Sequence, residues 1–205
     1  MKRRWLLALL LPMVVASCGY NKIQALDEQA TAARSTIEVQ LQRRADLIPN
    51  LVQTVKGYAQ HEDTVFTRVA EARAKLAGSI QTHNPTAMAN ADAQLTGSLS
   101  RLLAISENYP QLKANENFLR LQDELAGTEN RIAVARTDYN QAAQQYNTYI
   151  RTFPQVVTGK AIGAKPKPYF QVTSPGAEQA PKVDFTTPAP AAPATSPPAS
   201  APKVP

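Results

Sequence analysis

Residues 121–146, LQDELAGTENRIAVARTDYNQAAQQY, carry an apolar repeat that decides the fold class. Apolar or small side chains recur there in alternating steps of four and three residues, at Leu121, Leu125, Thr128, Ile132, Ala135, Tyr139, Ala142 and Tyr146. We call such a row of positions a seam. A heptad seam is typical of a helix that packs lengthwise on near-parallel or antiparallel neighbours. The sequence therefore predicts an all-α fold.

An earlier stretch keeps the same spacing in one phase, through Ile37, Leu41, Arg44, Ile48, Leu51, Val55, Tyr58, Glu62, Val65, Val69, Ala72 and Leu76. The phase continues across Pro49, where a turn would normally reset it. We therefore predict that Pro49 kinks one long helix. Gly78 is predicted to end this helix. Asn84 and Pro85 are predicted to begin the next one, as its N-cap and first helical residue.

The second helix is predicted to continue to about Glu107 and the last helix to end at about Ile150. If Pro110 marks a turn, the bundle runs up, down and up. If Pro110 marks only a kink, the second and third helices form one arm of a hairpin. We favour the turn. The predicted fold is an elongated antiparallel up-and-down bundle of three long helices, or four if the first is counted as broken.

The N-terminus has the pattern of a secretory signal peptide. Lys2, Arg3 and Arg4 precede an apolar run from Trp5 to Ala16. A run of about 12 residues is shorter than the roughly 20 that a helix needs to cross the hydrocarbon core of a bilayer. We therefore predict that residues 1–17 are a signal peptide.

The four residues Val15-Ala16-Ser17-Cys18 resemble a bacterial lipobox, and Cys18 is the single cysteine of the chain. The resemblance implies a diacylglyceryl group on the thiol of Cys18, and cleavage that leaves Cys18 as the first mature residue. The alternative is an uncleaved anchor with an incidental free cysteine. The expected location is the cell envelope, facing the periplasm or the exterior. Gly19 after the cysteine favours the outer membrane if the cell is Gram-negative.

Three segments follow the signal peptide: a helical bundle at 18–153, an extended segment at 154–170 and a tail at 171–205. The tail contains nine prolines among Ala, Ser and Thr, a composition typical of disordered, polyproline-like chain. The sequence does not tell whether the tail is a spacer or has a binding role. In the extended segment, Lys160, Lys165 and Lys167 fit either a solvated linker or contact with anionic lipid.

Net charge argues against a nucleic-acid binder. The chain carries +6, but residues 18–159 contain 14 basic and 14 acidic residues. A nucleic-acid-binding protein usually concentrates its basic charge on one element or face.

Two charged residues, Arg44 and Glu62, occupy the seam of the first helix. They are 18 residues apart, about 27 Å along a helix axis, so they cannot pair with each other. An unpaired buried charge costs several kcal/mol, so each needs a partner on a facing helix. Glu129 and Arg131 flank the seam position Thr128 and are the predicted partners. The arrangement fits an interhelical polar layer; a ligand site is the alternative.

The sequence offers no catalytic or cofactor site. His61, Glu62 and Asp63 are adjacent, but neighbouring helical residues point in different directions, and His83 does not complete a metal-ligand spacing. No glycine-rich phosphate loop and no nucleophile–base pair is present. We predict a protein that is not an enzyme and needs no metal or cofactor.

The pairs Tyr139-Asn140 and Tyr146-Asn147 repeat at one heptad. Both tyrosines fall on the seam and both asparagines beside it. The pattern favours packing against a close neighbour, with the tyrosine hydroxyls reaching polar groups at the edge. A groove for a partner helix is the alternative.

A series of short strings extends from about residue 20 to residue 170. They are Tyr20-Asn21, residues 42–52 (QRRADLIPNLV), 56–59 (KGYA), His61-Glu62, 71–73 (EAR), 109–114 (YPQLKA), 129–133 (ENRIA), Arg136, Tyr139-Asn140, Tyr146-Asn147 and Phe153-Pro154. In this order they resemble the LemA family of bacterial membrane-associated proteins. The resemblance implies a helical bundle outside the cytoplasmic membrane, with no known catalytic activity. Members of the family often carry an uncleaved N-terminal transmembrane helix. The lipobox at Cys18 differs from this common feature.

These observations predict an envelope lipoprotein, held at the membrane by acylated Cys18, that acts as a non-catalytic scaffold or adaptor for another protein. One alternative is a membrane-organising protein that self-associates into a homo-oligomer. The other is a regulatory subunit of an envelope protease or hydrolase.

Overall fold

The computed structural model describes residues 2–172, with side chains described from Gly19 onwards. The side chain of Cys18 and nearly all of the predicted tail lie outside this part. Within it the chain forms six helices and no strand, which confirms the all-α prediction. The helices are α1 (Lys2–Lys56), α2 (Asp63–Gln81), α3 (Pro85–Ser106), α4 (Pro110–Lys113), α5 (Glu116–Tyr149) and α6 (Gln155–Ala161).

The bundle is an up-down-up-down arrangement of α1, α2, α3 and α5. Helix α5 is antiparallel to α1, because early residues of one contact late residues of the other: Arg44 pairs with Glu129, and Asn115 donates to Tyr58. Helix α3 runs parallel to α1, since Arg44 also pairs with Asp92 while Arg34, ten residues earlier, reaches the carbonyl oxygen of His83. Short α4 therefore lies in a turn, and Pro110 opens it.

The turn between α2 and α3 forms as the sequence predicts. The side-chain oxygen of Asn84 accepts hydrogen bonds from the backbone N–H groups of Thr86 and Ala87, and Pro85 is the first residue of α3. Those two N–H groups have no partner inside the helix, so the asparagine satisfies donors that would otherwise be orphaned.

The prediction of one helix from residue 37 to Leu76 was wrong. Pro49 lies inside α1, but α1 ends at Lys56, and residues 57–62 connect it to α2. Val55 and Val69 are both fully buried and stand two heptads apart, so the connection preserves the apolar phase without being helical. Gly78 does not end the helix either, since α2 continues to Gln81.

The segment after α5 also differs from the prediction of an extended chain from 154. Residues 155–161 form α6, and regular structure is absent only from about residue 164 to 172. Helix α6 folds back on the end of α5 at Gly159. A Cβ atom there would lie 3.4 Å from the carbonyl oxygen of Ile150, so the two segments are in van der Waals contact at this point.

Among the side chains from Gly19 to residue 172, buried apolar residues form two separate clusters. The main core joins α1 from Ile37 onwards with α2, α3 and α5, and includes Phe170. The smaller cluster lies toward the N-terminal part of α1 and contains Ile23, Leu26, Tyr146 and Ile150. Between residues 19 and 30 the pairing of α1 with α5 therefore extends past the four-helix core.

Candidate functional site

A charged layer crosses the main core at Arg44, which lies on α1 between the buried residues Leu41 and Ile48 and is 5 % exposed. Its Nη1 atom is 2.6 Å from Oδ1 of Asp92 on α3 and 2.5 Å from Oε2 of Glu129 on α5. Its Nη2 atom donates to Oγ1 of Thr96 at 3.0 Å. One guanidinium therefore joins three helices.

The two carboxylates of the layer sit in different surroundings. The side chain of Glu129 is 45 % exposed, whereas that of Asp92 is 7 % exposed. Burial raises the pKa of Asp92 above its ordinary value, Arg44 opposes that rise, and Glu129 adds to it. Asp92 therefore depends on Arg44 for its charged form.

The structure brings together two of the four residues predicted for this layer, Arg44 and Glu129. Glu62 is instead the residue before α2, and Arg131 is exposed on α5, so neither belongs to the layer. Glu62 lies outside the charged layer because α1, the helix that carries Arg44, ends at Lys56.

Sequence reasoning missed Asp92 and Thr96. A signal for Asp92 was present, because it stands four residues after Met88 and one heptad before Leu99, both of which are buried. The alanines around it make that phase hard to see. The layer can fix the register of three helices. Asp92 and Thr96 accept hydrogen bonds from Arg44, whereas the buried Nε atom of Arg44 has no hydrogen-bond partner.

A second feature is the segment of residues 164–172, which we call the strap. It lies along α5 and is held by its backbone. The side-chain amide of Asn147 accepts from the N–H of Lys167 at 2.7 Å and donates to its carbonyl oxygen at 2.9 Å. Asn140 makes the same pair of bonds with Phe170, at 2.8 and 3.4 Å.

The spacing of these asparagines matches the strap. Seven residues of helix rise about 10.5 Å, and three residues of extended chain span about 10 Å. Asn147 and Asn140 can therefore bind residues 167 and 170 of an antiparallel extended segment. This accounts for the repeat of the Tyr-Asn pairs, whose asparagines bind backbone of the same chain.

Side chains reinforce the strap. The hydroxyl of Tyr139 donates to the carbonyl oxygen of Pro168 at 2.7 Å, and burial raises the pKa of this tyrosine to about 12. Phe170 is 1 % exposed, with the guanidinium of Arg136 5.2 Å from its ring centre. Lys167 reaches Oδ1 of Asp27 on α1 at 3.0 Å. The strap therefore ties α5 to α1.

The two histidines lie in connections between helices. His61 is exposed in the connection after α1. The Nδ1 atom of His83 is 3.0 Å from Oε1 of Glu38, which also lies 3.2 Å from Nε of Arg34. This contact holds the α2–α3 turn against α1. Among the side chains from Gly19 to residue 172, no group of three or more His, Cys, Asp or Glu residues is placed to bind a metal ion.

Helix α1 links the N-terminal segment to the bundle without a break. It is helical from Lys2 through residue 18, and among its side chains from Gly19 onwards the first buried one is that of Ile23. Within the described part of the chain, no helix has the length and apolar character needed to cross a membrane.

Comparison with known proteins gives consistent matches. The model of the LemA family matches residues 33–185. Magnetosome protein MamQ 2 of Paramagnetospirillum magneticum is 30 % identical over 177 residues, covering 74 % of this chain and 64 % of the relative. Protein LemA of Metamycoplasma hominis is 24 % identical over 134 residues, covering 65 % and 60 %. The chain thus spans somewhat less than two thirds of the length of these relatives.

Proposed function

The chain belongs to the LemA family, and from that premise we propose that it is a lipid-anchored protein of the cell envelope whose bundle serves as a non-catalytic scaffold or adaptor. Cys18 is the proposed lipid attachment site, and the partner is another envelope protein. Two relatives are named as magnetosome proteins, which supports a membrane-associated role.

The observation that carries this proposal is the continuity of α1. Residue 18 and the core residue Ile23 lie on one helix, about 7.5 Å apart along its axis. A lipid on Cys18 would therefore hold the bundle through a rigid helix instead of a flexible linker. From residue 18 to Lys56 the same helix extends about 57 Å. An anchored helix of this length would hold the α2–α3 hairpin well away from the membrane, where a partner protein can reach it.

The anchor is tested by intact mass and membrane fractionation of the wild-type chain beside Cys18→Ala. We expect the wild type to start at Cys18, with the added mass of a diacylglyceryl group, and to stay with the membrane in high salt. Two acyl chains suffice for stable anchoring, whereas one is marginal. Cys18→Ala should lack that mass. An unmodified full-length wild-type chain would overturn lipid anchoring.

The scaffold role is tested separately, with a photo-crosslinking residue placed at Ser98 in the groove between α2 and α3. A discrete adduct with one envelope protein, absent when the probe is at exposed Asn130 of α5, is the expected result. An adduct of twice the chain's mass would instead indicate self-association. Absence of any adduct at exposed positions around the bundle would contradict the adaptor role.

A further inference from the structure

Large apolar side chains are exposed at the end of the bundle that carries Cys18. Phe153 is 79 % exposed, Val157 63 %, Tyr20 45 % and Ile162 40 %. We call these four residues the anchor-end patch. Burying such side chains is the main favourable term in association, so a group of them at one end indicates a contact surface.

Helix α6 places the patch level with the first residues after Cys18. A Cβ atom on Gly19 would lie 3.7 Å from Oγ1 of Thr158 and 4.0 Å from Cγ of Gln155, so α6 packs on α1 at that point. Tyr20 and Ile162 line one cleft between α1 and the residues after α6. The patch therefore lies beside the end of the apolar run of residues 5–16.

Charge around the patch is mainly basic. Residues 19–26 and 151–165 contain the exposed Lys22, Arg151, Lys160 and Lys165 and no Asp or Glu. Asp27 lines the same cleft as Tyr20 and Ile162, and it is paired with Lys167. Residues 18–159 as a whole are balanced, so this end is locally basic. Two copies of such a surface would repel each other, which argues against an interface between copies of the chain.

We propose that the anchor-end patch rests on the bilayer surface, with its apolar side chains in the interfacial region and its basic side chains on anionic headgroups. Surfaces that combine exposed aromatic residues with lysine and arginine bind favourably in the interfacial region of a bilayer. Contact at α6 and at Tyr20 gives the bundle a second point of attachment beside the anchor, which limits its tilt. This proposal rests on the proposed function, because it takes the end of the bundle that carries Cys18 as the end nearest the membrane. Its test does not require Cys18 to be lipidated.

The test uses a tryptophan at the patch. Trp5 is the single tryptophan of the chain and would be removed with a cleaved signal peptide, so Trp5→Phe leaves no native tryptophan in either the processed or the unprocessed chain. In that background Val157→Trp is compared with Val134→Trp on α5. The two valines are 63 % and 62 % exposed, and Val134 is about 24 Å along α5 from its end near Ile150. The full chain is reconstituted into phosphatidylcholine–phosphatidylglycerol vesicles that contain brominated lipid.

We expect strong bromine quenching and a blue-shifted emission at position 157, and neither at position 134. Quenching at 157 should fall in pure phosphatidylcholine, and in Lys160→Gln/Lys165→Gln. The control pair Lys75→Gln/Arg131→Gln, which removes equal charge elsewhere on the bundle, should leave it unchanged.

Equal quenching at both positions, or none at 157, would overturn the proposal. A blue shift at 157 without quenching, together with a doubled mass in solution, would assign the patch to a second copy and would also overturn it. Intact mass of the same preparation separates the two proposals. Lipidated protein without quenching refutes the patch alone, and quenching of an unlipidated chain refutes Cys18 attachment alone.

Discussion

At the scale of single residues, Arg44 shows what a heptad can reveal. A charge at a core position demands a partner on a facing helix, and Glu129 lies next to a core position of the last helix. That reasoning reaches Glu129 because α1 and α5 have clear seams. It does not reach Asp92, because the alanines around that residue obscure the apolar phase that Met88 and Leu99 set in α3. The choice of carboxylate depends on packing, which the sequence does not state.

Replacing Arg44 by Met tests the layer. We expect a loss of about 3–5 kcal/mol in the free energy of unfolding near neutral pH, because Asp92 is left buried and unpaired. Urea unfolding measures this loss. Arg43→Met, at the exposed neighbouring position, should change stability by less than about 0.5 kcal/mol.

The pH profile of Arg44→Met separates charge from packing. Without Arg44 the pKa of Asp92 rises further above its ordinary value of about 4. A group whose folded pKa is raised contributes stability that is present below its unfolded pKa and is lost as pH rises through the folded pKa. The deficit of the variant should therefore shrink as pH falls toward 4. A deficit of equal size at pH 4 and pH 7 would assign it to packing.

At the scale of elements, the apolar repeat predicts which residues are buried better than where helices end. The break between α1 and α2 is hidden because residues 57–62 preserve the heptad phase. The sequence predicts extended chain in the strap up to residue 170, but it does not predict where the strap packs, because the strap has few apolar residues besides Tyr169 and Phe170. The position of the strap depends on Asn140 and Asn147 of α5. These side chains bind the backbone of the strap, so the contacts place no requirement on the amino-acid types of the strap residues that they bind.

Asn147→Ala tests how the strap is held. The change removes both bonds to Lys167, and a lost partner at a partly buried group costs about 1–3 kcal/mol. We expect the amide of Lys167 to exchange its hydrogen roughly tenfold faster or more, because 1.4 kcal/mol corresponds to a factor of ten. Asn130→Ala, at an exposed position of α5, is the matched control. Unchanged exchange at Lys167 would show that side-chain packing holds the strap.

At the scale of the whole molecule, the described chain has two cores of different size along α1. The main core draws on four helices, whereas the smaller one rests mainly on α1 and α5. A region with fewer buried contacts opens at lower free energy than the global transition. The smaller core lies toward Cys18, where attachment to a membrane would limit such opening.

Ile23 and Ile48 provide a matched pair for this difference, since both are on α1 and 1 % exposed. Each Ile→Ala change should cost about 2–5 kcal/mol where its cluster is packed. With Ile23→Ala, hydrogen exchange should accelerate in residues 20–34 and 143–165 while the amides of α3 keep their protection. With Ile48→Ala, α3 should lose protection as well, because its core residues share that cluster. Hydrogen exchange measured by mass spectrometry distinguishes these two patterns of lost protection. Loss of protection in α3 from both variants would mean that the two cores unfold as one cooperative unit.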